Sequence, residues 1–146
     1  MRRVIMRLKN VLAFYQLYAT ENSSIPPINE TPNLLDSWIR SRLSELNQSV
    51  SQALDTYQLD QVGKPIDEFI DDFSTWYLRR SRERFRSADQ VTQAVATNVL
   101  RQVLFILAKI IAPLMPFIAE EIYQVLRSKD DLASVHLETW PAVESA

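Results

Sequence analysis

The chain has 146 residues, a net charge of −2 and no cysteine, so disulfides and thiolate zinc sites are excluded and nothing global draws it to nucleic acid. One glycine is too few for the turns of a β-rich fold or for a phosphate-cradling loop, and the single histidine, His136, cannot build a metal cluster alone. The longest apolar run is flanked by Arg101 and Lys109, short of a membrane span, and no signal-like core follows Met1 to Lys9, so a cytoplasmic protein with no membrane partner is expected.

Helical spacing of Val4, Ile5, Leu8, Val11, Leu12, Tyr15 and Ala19 predicts a first helix from about Arg3 to Ala19. Glu21 to Pro32 is expected to be a loop. Thr31-Pro32 supplies a capping hydroxyl and a proline for the next helix start, with Asn33 as a rival cap. Leu35, Trp38, Ile39, Leu43, Leu46, Val50, Leu54 and Tyr57 form the stripe of a second helix reaching about Leu59, with Tyr57 exposed at its end. A third helix is expected over about Gln61 to Phe85, with Pro65 near its start and Ile66, Phe69, Ile70, Phe73, Trp76 and Tyr77 on one face. Ser87 and Gln90 have capping-box spacing and open a fourth helix to about Ile111. Its last part, Val103 to Ile111, is apolar nearly all round and belongs at the centre. Pro113 stops it, and Pro116 starts a short fifth helix to about Leu126. The tail, with Val135, Leu137 and Trp140-Pro141, reads as an extended strip. The fold class is therefore all-α, a bundle of about five helices in one domain over 1–146 with a short extended C-terminal tail.

Several segments resemble the anticodon-binding domain of class I aminoacyl-tRNA synthetases of the isoleucyl type. Asp71 to Phe85, read as Asp-Asp-Phe-Ser-Thr-Trp-Tyr-Leu-Arg-Arg-Ser-Arg-Glu-Arg-Phe, is similar to the central signature of that family. Ala112 to Tyr123 resembles the second signature, and Ser134-Val135-His136-Leu137 with Trp140-Pro141 the third. Asn10-Val11-Leu12, Phe14 and Tyr18-Ala19 look like its first helix, so the likeness covers almost the whole chain. The segment Pro116 to Glu121 is shared with valyl and leucyl relatives. The arginines after Trp76-Tyr77 favour the isoleucyl branch, although Arg86 stands where that family often has tryptophan. The resemblance implies a module that binds the anticodon stem-loop of an isoleucine-accepting tRNA, beside the remaining domains of a parent synthetase. It implies no catalytic residue, no metal and no cofactor in this chain, with ATP belonging to a separate catalytic domain. A valyl or leucyl module, or a non-catalytic protein-interaction bundle, is the alternative.

Wound at about 100° per residue, the third helix puts Arg80 and Arg84 on its apolar face and Arg79, Arg82 and Arg86 on the solvent side. Buried guanidiniums need partners, and Glu120 and Glu121 are the expected ones, as a structural ion-pair set. Arg79, Arg82 and Arg86 are the candidates for tRNA phosphate, against a plain macrodipole reading in which acids at Asp67 to Asp72 open the helix and bases close it. Trp76, Tyr77 and Trp38 are expected in the core, with base stacking as the lesser role for Trp76 and Tyr77. Asp71 and Asp72 are read as solvated, and His136 as a packed surface residue. Arg2, Arg3, Arg7 and Lys9 form a second basic cluster.

Overall fold

The computed structural model describes residues 2–19 and 33–142. Among them the chain forms five helices and no strand. These are α1 (Arg2–Tyr18), α2 (Leu34–Asp55), α3 (63–85), α4 (Gln90–Ile111) and α5 (Pro116–Leu126), with single 3-10 turns at Leu59–Gln61 and Val135–Leu137.

The ends of the helices follow from local chemistry. Thr31 and Pro32 lie outside the described residues; α2 is capped by Asn33, whose side chain accepts from the Leu35 N–H at 2.9 Å. This helix stops at Asp55 rather than near Leu59, because Tyr57 adopts φ 58° and the Gln58 N–H returns to the Ala53 carbonyl at 2.8 Å. Tyr57 is exposed there, as its position at the helix end implied. The Ser87–Gln90 capping box does not form. Asp89 caps α4 instead, accepting from the Val91 N–H and the Thr92 hydroxyl, while the Ser87 hydroxyl accepts from the Asp89 N–H. Those bonds, Thr92 first, hold the Asp89 carboxyl below its ordinary pKa.

α4 packs against each of the other four helices. Val103, Leu104, Leu107, Ala108, Ile110 and Ile111 are buried on it, with Phe105 and Ile106 half-buried. As a whole it is long and apolar enough to cross a membrane, contrary to the expectation drawn from its flanking charges; 61% of its most apolar window is buried inside the bundle. Its central place accounts for that composition. Trp38 is half-buried and packs on the core.

α3 is not a uniform helix. Gly63–Asp71 and Leu78–Phe85 are α-helical, but Asp72–Tyr77 is a π turn, in which the Leu78 N–H reaches the Phe73 carbonyl five residues back. Up to Phe73 the buried positions are Ile66, Phe69, Ile70 and Phe73; from Tyr77 onward they are Tyr77, Leu78, Ser81 and Phe85. An unbroken α-helix would carry the inward face from Phe73 to positions 80 and 84. The additional residue in the π turn moves it to 81 and 85. Phe69, Phe73 and Tyr77 stack along the buried side with centroids 5.7 and 5.8 Å apart.

The tail after α5 crosses back over the bundle as a strap. Glu138 meets Lys109 of α4 at 3.2 Å and accepts from the Tyr123 hydroxyl at 2.6 Å. The Trp140 indole N–H donates to the Ser51 hydroxyl at 2.9 Å, and the Asn47 amide donates to the carbonyls of Pro141 and Ala142 at 3.1 and 3.3 Å.

Candidate nucleic-acid interface

The flanks of α3 are fixed by its acids. Arg7 of α1 meets Asp67 at 3.7 Å and Asp71 at 3.0 Å, while Arg42 of α2 meets Asp72 at 2.9 Å. Asp71 and Asp72 are thus ion-paired, not merely solvated. Adjacent positions diverge on a helix, and here they point to different neighbours. The N-terminal cluster divides accordingly. Arg7 and Lys9, the latter 3.4 Å from Glu121, tie α1 to α3 and α5, whereas Arg2 and Arg3 are exposed.

The expected pairing of Arg80 and Arg84 with Glu120 and Glu121 does not form. α5 packs on α1, α4 and the tail, so its acids face those elements. Glu120 accepts from the Ser134 hydroxyl and the Val135 N–H, both at 2.9 Å, and from the Gln124 amide at 2.7 Å. Desolvation works against its charge, but these three bonds outweigh it and lower the Glu120 pKa. Arg84 turns to α2 instead and forms a fork with Asp36, two bonds of 2.7 Å. The Tyr77 hydroxyl donates to the same carboxylate at 2.8 Å. Asp36 is fully buried, in the first turn of α2. Burial opposes the Arg84 charge, yet the bonds to Asp36 and its negative charge prevail and raise the Arg84 pKa. Sequence reasoning passed over Asp36. Its signal was an acid three residues after a capping Asn, where a helix N-terminus favours negative charge.

Arg80 is not buried. Its guanidinium lies 3.9 Å from the centre of the Trp76 ring, and Trp76 is 49% exposed. Tyr77 is the core residue of that pair; Trp76 is turned out. The π turn is the cause of both departures from the α-helical count, and it separates residues that a regular period places together.

Arg79, Arg82 and Arg86 are all exposed, and among the described residues none of their side chains has an ion-pair or hydrogen-bond partner. They stand with Trp76 and Arg80 on the C-terminal half of α3, a concentrated positive surface on a chain that is acidic overall. Unpaired guanidiniums beside an exposed aromatic can neutralise phosphates and stack on unpaired bases. Among the described residues no group of three His, Cys, Asp or Glu stands close enough to hold a metal ion, and His136 is exposed on the tail. A cavity of about 530 Å³ between α2, α4 and the tail is lined by Arg40, Asn47, Arg101 and Lys109 among others, and by none of the α3 residues. Lys109 there is held by Glu138, and Arg101 by the Leu126 carbonyl at 2.6 Å.

A family model described as the anticodon-binding domain of tRNA ligase matches residues 36–146. Isoleucine–tRNA ligase of Chlamydia trachomatis is 40% identical over 148 aligned residues, which cover 98% of this chain and 14% of that protein. The same-named proteins of Clostridium novyi and Deinococcus radiodurans are 39% and 34% identical, over 96% and 99% of this chain and again 14% of their own length. The chain therefore spans about 14% of the curated relatives it matches.

Proposed function

Since this chain belongs to the family of anticodon-binding domains of tRNA ligases, we propose that it is the module of an isoleucine–tRNA ligase that grips the anticodon arm of an isoleucine-accepting tRNA. The module performs no covalent step. It holds the anticodon arm so that the acceptor end reaches an ATP-dependent catalytic domain elsewhere in the parent enzyme, in the cytoplasm. The observation that carries this reading is the exposed face of α3, where Arg79, Arg82 and Arg86 lie without partners beside the Trp76–Arg80 stack. The arginines serve as phosphate contacts, which position the arm. The stack is suited to a base turned out of the loop. Because the chain is net acidic, affinity rests on this local patch and the salt slope is modest.

The test is fluorescence-anisotropy titration of the 146-residue chain with anticodon stem-loops of isoleucine, valine and leucine tRNAs. Preferential binding of the isoleucine stem-loop is the expected result. Equal binding of all three would remove the isoleucyl assignment. A chain that binds none, yet offers its α3 face to a protein, would be an interaction bundle. The isolated chain is also expected to show no isoleucine-dependent pyrophosphate exchange, and measurable exchange from a contaminant-free preparation would overturn the division of labour.

A further inference from the structure

Glu83 is the one acid within the arginine-rich end of α3. Arg79 and Arg80 stand four and three residues before it, and Arg86 three residues after, each at a spacing that favours a helical ion pair. Glu83 nevertheless makes none. It is exposed, and among the described residues its side chain has no hydrogen-bond or ion-pair partner. In a surface meant only for phosphate, a carboxylate repels the ligand. It is more useful as an acceptor for something that offers N–H groups.

The ridge on which Glu83 stands indicates what that is. Trp76, Arg80 and Glu83 follow one another at i, i+4 and i+7, all three exposed. One face of the Arg80 guanidinium rests on Trp76, and the exposure of the residue leaves the other face to a ligand. Flat ligands stack on guanidinium planes, and a base placed there can turn an edge along the ridge, where Glu83 lies three residues on, just under one turn. The four RNA bases differ at that edge. Cytosine and adenine offer an amino group next to a ring-nitrogen acceptor, and uracil offers one N–H between two carbonyls. Guanine alone offers two adjacent donors, N1–H and the N2 amino group, matching the two oxygens of a carboxylate.

We propose that Glu83 is a specificity-determining residue that selects an unpaired guanine in the anticodon loop, accepting from its N1–H and N2–H while the base stacks on Arg80 over Trp76. This rests on the anticodon-arm reading. No bond is made or broken.

The experiment uses the 146-residue chain, native and Glu83→Gln, against stem-loop RNAs in which each loop guanine is replaced in turn by adenine or by inosine, which lacks the N2 amino group. The native chain should bind the guanine loop roughly tenfold or more tightly than the adenine loop at one position, with inosine between them. Glu83→Gln should lose that ratio while binding the adenine loop as well as the native chain does, or better, because a repulsive charge has gone. Its melting temperature should not move, since the site is exposed. A purely electrostatic Glu83 would raise affinity for every loop alike and leave the guanine-to-adenine ratio intact, which overturns the proposal. A native chain that binds RNA without any guanine preference also overturns it and leaves the anticodon-arm reading standing. A native chain that binds no RNA overturns both.

Discussion

Arg84 and Asp36, 48 positions apart in sequence, are joined by two hydrogen bonds of 2.7 Å each, and the acid is wholly excluded from solvent. The fork ties the last turn of α3 to the first turn of α2, and with the Tyr77 hydroxyl it gives the carboxylate three hydrogen bonds. Removing one partner leaves the other charge stranded. Arg84→Ala is therefore expected to destabilise the fold by roughly 3–5 kcal/mol, measured by urea denaturation. Arg80→Ala, which gives up only an exposed stack on Trp76, should cost less than about 1 kcal/mol. Equal losses from the two variants would contradict the assignment of Arg84 to Asp36.

Arg79, Arg82 and Arg86 are expected to behave in the opposite way. Each change to alanine should alter stability by no more than about 0.5 kcal/mol, as for other exposed sites. Each that contacts phosphate should weaken stem-loop binding across sequences and lower the salt slope by about one unit. Salt-titrated anisotropy with thermal melts supplies both numbers. Three variants silent in binding would move the RNA patch away from α3, with exposed Arg2 and Arg3 next to be tried.

Tyr77 gives the fold a sensitivity to alkali. Burial in the first place, and then the Asp36 carboxylate it donates to, raise its pKa well above the ordinary phenol value. The unfolded chain loses this proton near pH 10 while the folded chain keeps it, so the stabilisation is complete below about pH 10 and declines as pH rises beyond it. Burial likewise raises Tyr15 and Tyr123. Denaturation midpoints should be flat through neutral pH and fall above about pH 10. Tyr77→Phe should make that fall shallower without abolishing it. An equally steep fall in the variant would show that Tyr77 takes no part.

Ser81 is fully buried on α3, and its hydroxyl has no hydrogen-bond partner among the described residues. An unsatisfied hydroxyl in an apolar setting is a cost that alanine removes with little change of shape. Ser81→Ala should stabilise the chain by about 1 kcal/mol, seen as a higher urea midpoint at unchanged slope. A lower midpoint would mean that the hydroxyl is satisfied in solution.

The bundle was legible because its stripes are long and regular. Ile39, Leu43, Leu46 and Val50 on α2, and the apolar end of α4, are buried as their spacing requires. The face of α3 was legible as far as Phe73 and, beyond it, at Tyr77, which is buried as its spacing requires. Nothing in Asp72 to Tyr77 announces a π turn to a count of 100° per residue, so Trp76 was assigned to the core and Arg80 to a buried pair. Arg84 does reach inward, but its partner lies 48 residues earlier on a helix whose approach no local pattern encodes. The caps show the same limit on a smaller scale. Asp89 and Ser87 are both good cap residues, and only the course of the chain into α4 decides that Asp89 takes the role.

The C-terminal strap bears on the order in which the bundle assembles. Its contacts join residues as far apart as Asn47 and Ala142, a separation of 95, and Ser51 and Trp140, a separation of 89. Closing so large a loop early costs entropy that a few hydrogen bonds cannot return, so helix pairing precedes it and the strap settles on an already formed bundle. An interaction absent from the folding transition state leaves the folding rate almost untouched and acts on escape from the native state. The strap is thus a latch on unfolding, and its worth is counted in the lifetime of the folded bundle rather than in the speed of its formation.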